Sequence, residues 1–398
     1  MKKAILAFSG GLDTGFCVPY LVDKGYEVIT VSVNTGGFSI QEIKGIANKS
    51  KQYGASKHFM IEAEKDLYEQ FASYILKAGY LKGGVYPACV GPERVLIAQK
   101  IAQVAQNEEV STIVHGSTGA GNDQVRFETA IQAYLPHARI LAPIREHGLQ
   151  RAEEVEYLRK KGFPVSEETK DYSINIGLLG TTIGGKETHD TKQEIPENIF
   201  PSVCSSADLP DDQLEVEIEF KEGLPVKLNE QSFSGVEIIK KLNYLAAKYG
   251  FGKDYHIGTT IIGVKARVAF ESPAIKLLIK AGSELDKLVL TSKQIFWKNH
   301  LGNLYGDLIH EGLYFDPLIS NLEAFFDSAS KPVTGKVKIR IYRGNLTISS
   351  LESPNSLFGK GAIYGEKNGA WDGRDAEGFC KLYGLESITS FINQSSKT

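Results

Sequence analysis

Cysteine, methionine and tryptophan are scarce in this chain: 398 residues hold four, two and two of them. Cys17, Cys89, Cys204 and Cys380 are scattered without metal-ligand spacing, which argues against a zinc motif and reads as reduced thiols in a cytoplasmic protein. An excess of one charge is also lacking. Lys and Arg number 45 against 48 Asp and Glu, and the net charge of -3 gives no reason to expect nucleic-acid or membrane partners. No apolar run is long enough to span a bilayer, and no charged-then-apolar leader follows Met1-Lys2-Lys3. Internal repeats and low-complexity tracts are missing too. What is there is length enough for two or three domains with sizeable cores.

The most informative stretch is Ala7-Phe8-Ser9-Gly10-Gly11-Leu12-Asp13-Thr14. It closes an apolar strand-like run over residues 4–8 and opens a helix-like pattern. Backbone N–H groups, two glycines and a hydroxyl therefore sit at the mouth of a βα turn. Such a mouth binds pyrophosphate: the amides point outward, the helix N-terminus is positive, and no Cβ blocks the approach at Gly10 and Gly11. A plain Gly-Gly turn would give the same string, so nucleotide chemistry is the sharper of two readings.

The first part of the chain alternates. Residues 4–8, 26–33, 56–61, 112–115 and 139–141 predict strands; 11–24, 43–53, 64–78, 94–105, 125–134 and 152–161 predict helices. Pro19 is expected to kink or end the first helix, and Gly162 with Pro164 to close the last. The alternation argues for an α/β, doubly wound parallel sheet with ligands at the carboxyl ends of its strands. After about residue 165 the pattern changes. Gly184-Gly185, Pro196 and Pro201 mark irregular backbone. Residues 214–220 alternate strictly and turn through Lys221-Glu222-Gly223 into 224–228, a hairpin; 337–341 and 345–349 form a second around Tyr342-Arg343-Gly344. A helix over 236–249 lies between them. The tail is helix-like over 376–392 and serves either as an oligomer contact or as a cover for its own domain. The expected division is a nucleotide-binding domain over 1–165, an α+β domain over 166–360 and a tail over 361–398.

A second loop, His115-Gly116-Ser117-Thr118-Gly119-Ala120-Gly121-Asn122-Asp123-Gln124, also follows a strand and precedes a helix. Glycine lets backbone approach a ligand, while Thr118, Asn122 and Asp123 supply oriented hydrogen bonds. His115 reads as a structural hydrogen-bonding residue rather than a general base. Arg126 could reach a carboxylate; from spacing alone it reads as a solvated face. No Ser–His–Asp or Cys–His arrangement is legible, and any metal would be Mg²⁺ carried by nucleotide phosphates.

Taken together, SGGLDT at 9–14, HGSTGAGNDQVRFE at 115–128, APIRE at 142–146, Tyr172-Ser173-Ile174, GVKARVAFESP at 263–273 and EGLYFDP at 311–317 resemble argininosuccinate synthase, of the adenine nucleotide α-hydrolase-like group. The likeness runs over nearly the whole chain. It implies an N-terminal nucleotide-binding domain, a synthetase and multimerisation domain, and a C-terminal oligomerisation helix in a homotetramer. It also implies ATP-dependent C–N ligation. Citrulline would be activated as an adenylate with loss of pyrophosphate, and L-aspartate would then displace AMP. Ala7, Phe8, Ser9, Gly10, Gly11, Asp13, Thr14, Val33 and Gly116 would hold ATP, with Mg²⁺ carried by the nucleotide. Thr118, Asn122 and Asp123 would hold aspartate; Tyr86, Asn122, Arg126, Ser173 and Thr182 would hold citrulline. Ser9, Asp13 and Asp123 are the expected catalytic residues.

The departures gather on the citrulline side. Gly15 and Ala120 stand where the family has serine and lysine, Val90-Gly91 where it has a Thr-Ser pair, and Asn175-Ile176-Gly177 where it has Asp-Glu-Asn. Gly184 and Gly258 replace two acidic residues, and Phe270 a tyrosine. Burying an ammonium without a carboxylate partner is costly. The same chemistry on an N-acylated citrulline is therefore one alternative. A nucleotide-binding protein without catalysis is another. A tRNA-thiolating or amide-forming relative is a further reading; thiolation would want a catalytic cysteine pair and a basic face, whereas the cysteines are poorly placed for it and the net charge is negative.

Overall fold

The computed structural model describes residues 2–165, 172–366 and 369–395. The chain begins with β1 (Lys2–Ala7), α1 (Leu12–Asp23), β2 (Tyr26–Asn34), α2 (Ile40–Gln52) and β3 (Lys57–Glu62). A helical stretch follows as α3 (Glu64–Leu67), a π turn over Tyr68–Ala72 and α4 (Ser73–Ala78). Next come α5 (Gly91–Asn107), β4 (Thr112–Val114), α6 (Asp123–Tyr134), β5 (Arg139–Leu141), α7 (Pro143–His147) and α8 (Arg151–Lys160). The five strands pair in parallel in the order β3-β2-β1-β4-β5.

Both faces of this sheet are covered, so β1 is apolar without alternation. Ile5 and Ala7 join one core with Ile29, Val31 and Val33; Ala4, Leu6 and Phe8 join the other with Phe16, Val18 and Leu21. Strand order reverses between β1 and β4, and the loops after these strands meet there. A Cβ built on Gly116 would lie 3.2 Å from Thr14 Cγ2. Pro19 does not end α1, which runs on to Asp23. Cys17, Val18 and Leu21 are buried around it, and that packing outweighs the ring's cost to the helix.

The second half contributes β6 (Tyr172–Gly177), β7 (Gly180–Gly185), β8 (Leu214–Lys221), β9 (Leu224–Leu228), β10 (Gln231–Ser232), α9 (Gly235–Lys248), β11 (Lys253–Thr259) and β12 (Lys265–Glu271). It continues with α10 (Pro273–Val289), α11 (Ser292–Glu311), α12 (Pro317–Ser330), β13 (Gly335–Tyr342) and β14 (Asn345–Glu352). Two sheets form, β10-β9-β8-β13-β14 and β11-β12-β7-β6. Both expected hairpins are present. Each turns on two residues of positive φ, Glu222-Gly223 and Arg343-Gly344, which matches the twist of the flanking strands. Gly184 and Gly185 are not irregular backbone: they end β7, paired with Ser173 and Tyr172.

The first two strands of the four-stranded sheet are fastened to the parallel sheet. Leu178 N–H donates to the Thr35 carbonyl at 2.9 Å. A Cβ on Gly37 would fall 2.0 Å from the Ile176 carbonyl oxygen, so no side chain separates the two backbones. The described chain forms two compact units, Met1–Pro354 and Asn355–Thr398. The division expected at 165–166 borders residues 166–171, which lie outside the described residues. In the tail unit the single helix expected over 376–392 is two, α13 (Gly373–Tyr383) and α14 (Leu385–Ser395), parted at Gly384.

Candidate active site

Gly10 takes φ +76 at the end of β1, where a Cβ would press to 2.9 Å from Ile46 Cγ1. This turn folds the 9–14 loop over the start of α1. Ser9 N–H and Ser9 Oγ both engage Thr14 Oγ1, at 3.3 and 3.1 Å, and Gly11 N–H donates to Ser9 Oγ at 3.3 Å. No side chain caps α1 at Gly11. Asp13 stands in its first turn. Behind it, on the face of α8 that packs against α1, lies the buried Glu154. Burial and the neighbouring Asp13 charge push the Glu154 carboxyl up to about 8. Cys17 is buried one turn further along; burial raises its thiol well above the ordinary value, as suits packing rather than chemistry.

The structure brings Ala7, Ser9, Gly10, Gly11, Asp13, Thr14 and Gly116 to one edge, with Val33 on the neighbouring strand. Phe8 differs. Its ring turns into the core opposite Ala7, its N–H donates to Val31 and its carbonyl accepts from Ser32 Oγ. Its backbone and ring are spent on the framework.

On the second loop His115 is buried and pinned, its Nδ1 accepting from Ser117 N–H at 3.2 Å and its Nε2 lying 3.3 Å from Glu128. Arg145 meets the same carboxylate at 2.6 Å. Thr118 is exposed. Asn122 precedes α6 but does not cap it; its Oδ1 accepts from Ile261 N–H at 2.9 Å. Asp123 opens α6 between two arginines. Arg94 Nε donates to one oxygen at 2.8 Å and Arg126 Nη1 to the other at 3.0 Å. Burial works against the Asp123 charge, but the two guanidinium groups overturn it and hold the carboxyl down at about 2. The carboxylate is held as an anion between them. Arg126 is not a solvated face residue: it is 4% exposed and donates from Nε to the His310 carbonyl at 2.8 Å. Burial, then the Arg126 and Lys82 charges, hold the His310 imidazole neutral, at about 3.

The remaining residues come from one face of the four-stranded sheet. Antiparallel register sets Ser173 opposite Gly184, Asn175 opposite Thr182, Thr182 opposite Phe270, and Phe270 opposite Asp254 two places before His256. Directly opposed residues and those two apart share a face, so these lie together. Tyr86 is buried against that face. Its ring stacks on His256 at 5.8 Å and meets Phe270 edge-on at 5.1 Å, with His310 at 6.2 Å. The two glycines in place of acids differ. A Cβ on Gly184 would meet nothing within 4 Å, whereas one on Gly258 would strike His256 Nε2 at 2.4 Å. The imidazole fills that space.

Family comparison bears on the same elements. Residues 3–164 match the arginosuccinate synthase N-terminal HUP domain, and residues 172–390 the arginosuccinate synthase C-terminal domain. The argininosuccinate synthase of Methanocaldococcus jannaschii is 40% identical over all of both chains. The chain belongs to the argininosuccinate synthase family. The same-named proteins of Pyrococcus furiosus and Xylella fastidiosa are 38% and 37% identical, covering 98% and 100% of this chain and 94% and 99% of their own. Argininosuccinate synthases use ATP, and likeness along the full length favours the family's activity over a nucleotide binder or an N-acylated acceptor.

Sequence reasoning did not single out three residues that lie against the candidate ones: Arg94, bonded to Asp123 and Asn175, Glu93 beside it, and His256, stacked on Tyr86. Glu93 is the third residue of α5, 3% exposed, with Oε1 lacking any hydrogen bond. That oxygen lies 1.6 Å from where a Cβ on Gly177 would stand, so the carboxyl takes the room of the missing side chain. Burial pushes Glu93 up to about 8, against the pull of Arg94.

Proposed function

We propose that the chain joins citrulline and L-aspartate at the expense of ATP, with the nucleotide at the switch point of the parallel sheet. The ureido oxygen attacks the α-phosphorus of ATP and pyrophosphate leaves. The aspartate α-amine then attacks the ureido carbon, the C–O bond breaks and AMP departs. The uncapped start of α1, beside a glycine turn with no Cβ in the way, carries the placing of the pyrophosphate end. Ser9 and Thr14 offer hydroxyls there and Asp13 a carboxylate. Mg²⁺ would come with the phosphates and screen their charge.

Thr118, Asn122 and Asp123 form the aspartate side of this reading; Tyr86, Asn122, Arg126, Ser173 and Thr182 form the citrulline side. The arginine-held Asp123 supports a positioning and electrostatic role in catalysis. The reading includes a homotetramer and a cytoplasmic location. An exposed apolar set on α13 and α14, including Phe379, Leu382, Ile388 and Phe391, supports the assembly. The test is pyrophosphate release by purified protein with Mg-ATP, aspartate and citrulline, with N-acetylcitrulline in parallel. Release with citrulline upholds the reading; release only with the acylated compound, or none, overturns it. Light scattering after size exclusion reads the subunit count.

A further inference from the structure

One guanidinium touches both amino-acid subsites. Arg94 Nε donates to Asp123 Oδ2 at 2.8 Å, and Arg94 Nη2 donates to Asn175 Oδ1 at 2.8 Å. Asp123 opens α6 beside the aspartate residues Thr118 and Asn122. Asn175 lies on β6, opposite Thr182 and two residues from Ser173, on the face that meets Tyr86. These partners come from different layers of the fold, 29 and 81 residues away in sequence. A guanidinium is planar and rigid, so both bonds are set by one orientation: turning the plane to follow β6 turns the Nε–H that holds Asp123. The other Asp123 oxygen is fixed to Arg126, which is anchored on the His310 carbonyl. Asp123 is thus gripped by one fork tied to the helix layer and one tied to the acceptor sheet.

We propose that Arg94 is a positioning residue that couples the two amino-acid subsites, so that filling the citrulline side orders Asp123 for aspartate and the reverse. The inference rests on the subsite assignment proposed above. Linkage makes the effect reciprocal: whatever factor citrulline lends to aspartate, aspartate lends to citrulline. Arg94 is suited to this because its side chain is largely enclosed and Glu93 stands 4.0 Å from Nη1 on the remaining side, leaving little room for another orientation.

Calorimetric titration tests it, with the full chain and a nucleotide whose α–β bridge is a methylene, so that no turnover occurs. Aspartate affinity is measured with and without saturating citrulline, and citrulline affinity with and without aspartate. The wild type is expected to show mutual tightening of about fivefold or more. Asn175→Ala cuts the sheet arm and is expected to bring the factor below about twofold, while each affinity measured alone shifts less than the factor lost. Arg94→Lys keeps the charge but not the fork and should do the same. Independent binding in the wild type, or an unchanged factor in Asn175→Ala, overturns the coupling. Thr118→Ala and Ser173→Ala test the underlying assignment separately: the first should weaken aspartate alone and the second citrulline alone.

Discussion

α1 and α2 start from neighbouring strands of one sheet, at the same edge, and are finished differently. α2 opens on Ser39, whose hydroxyl accepts from Glu42 N–H while Glu42 reaches back to Ser39 N–H. α9 repeats the box with Ser234 and Glu237, and α11 with Thr291 and Gln294. α1, α5 and α6 have no such cap. α5 even carries a glutamate at the box position, but Glu93 turns away into the space beside Gly177. Caps satisfy amide donors that a helix leaves unpaired. At the three helix starts beside the candidate site no side chain fills this role, as is also true of α3, α4, α7 and α10, so it is the uncapped end together with the glycine loop before it that sets α1 apart from α2.

The sharpest way to break the contrast is to cap α1. Gly11 has extended backbone that accepts any residue, and Asp there would cap the helix and place a negative charge at the phosphate mouth. Gly11→Asp should lower kcat/KM for ATP by at least about 100-fold, roughly 3 kcal/mol, without lowering Tm; steady-state kinetics beside a melting curve read both. Next in size is the diverted glutamate. Glu93 keeps its proton in the fold up to about 8, whereas an unfolded glutamate loses it near ~4.3. Between those values the unfolded chain binds fewer protons, so stability falls as pH rises, on the order of a few kcal/mol in all. Glu93→Gln should flatten that slope in urea titrations from pH 5 to 9, the variant gaining on the wild type toward pH 8.

Smaller effects sharpen the comparison. Gly177→Ala drives a methyl into the Glu93 carboxyl and should cost about 1–3 kcal/mol by chemical denaturation. Glu93→Ala in the same chain should recover part of it, and no recovery would mean the two do not compete for space. Ser234→Ala removes a cap far in sequence from both loops. It should cost about 1 kcal/mol of stability and leave turnover and every KM where they were.

What could be read from sequence follows the same division. The 9–14 loop is legible because its chemistry lies in backbone amides and glycines that are contiguous in the chain. The parallel strands are legible because burial on both faces makes them continuous apolar runs. Arg94 is not, since spacing suggests only a helix beginning there and its partners lie far along the chain. Arg126 reads as a surface residue for the same reason; His310, 184 residues on, buries it. The four-stranded sheet is hidden because β6 and β11 are its edges, with too little buried to print a period-two pattern. Residues 64–78 read as one helix, and nothing local announces the π turn at Tyr68–Ala72.

The seam at Gly37 and Ile176 has a mechanical meaning. With backbone laid on backbone and no side chain between, it has nothing soft to compress: it is a weld rather than a hinge. A displacement of the loop after β2 is passed at once to the strand that carries Ser173 and Asn175. Hydrogen–deuterium exchange gives that rigidity a clock, because the Leu178 amide, bonded to Thr35, should exchange as slowly as the amides of β2 and not with the pace of a surface turn.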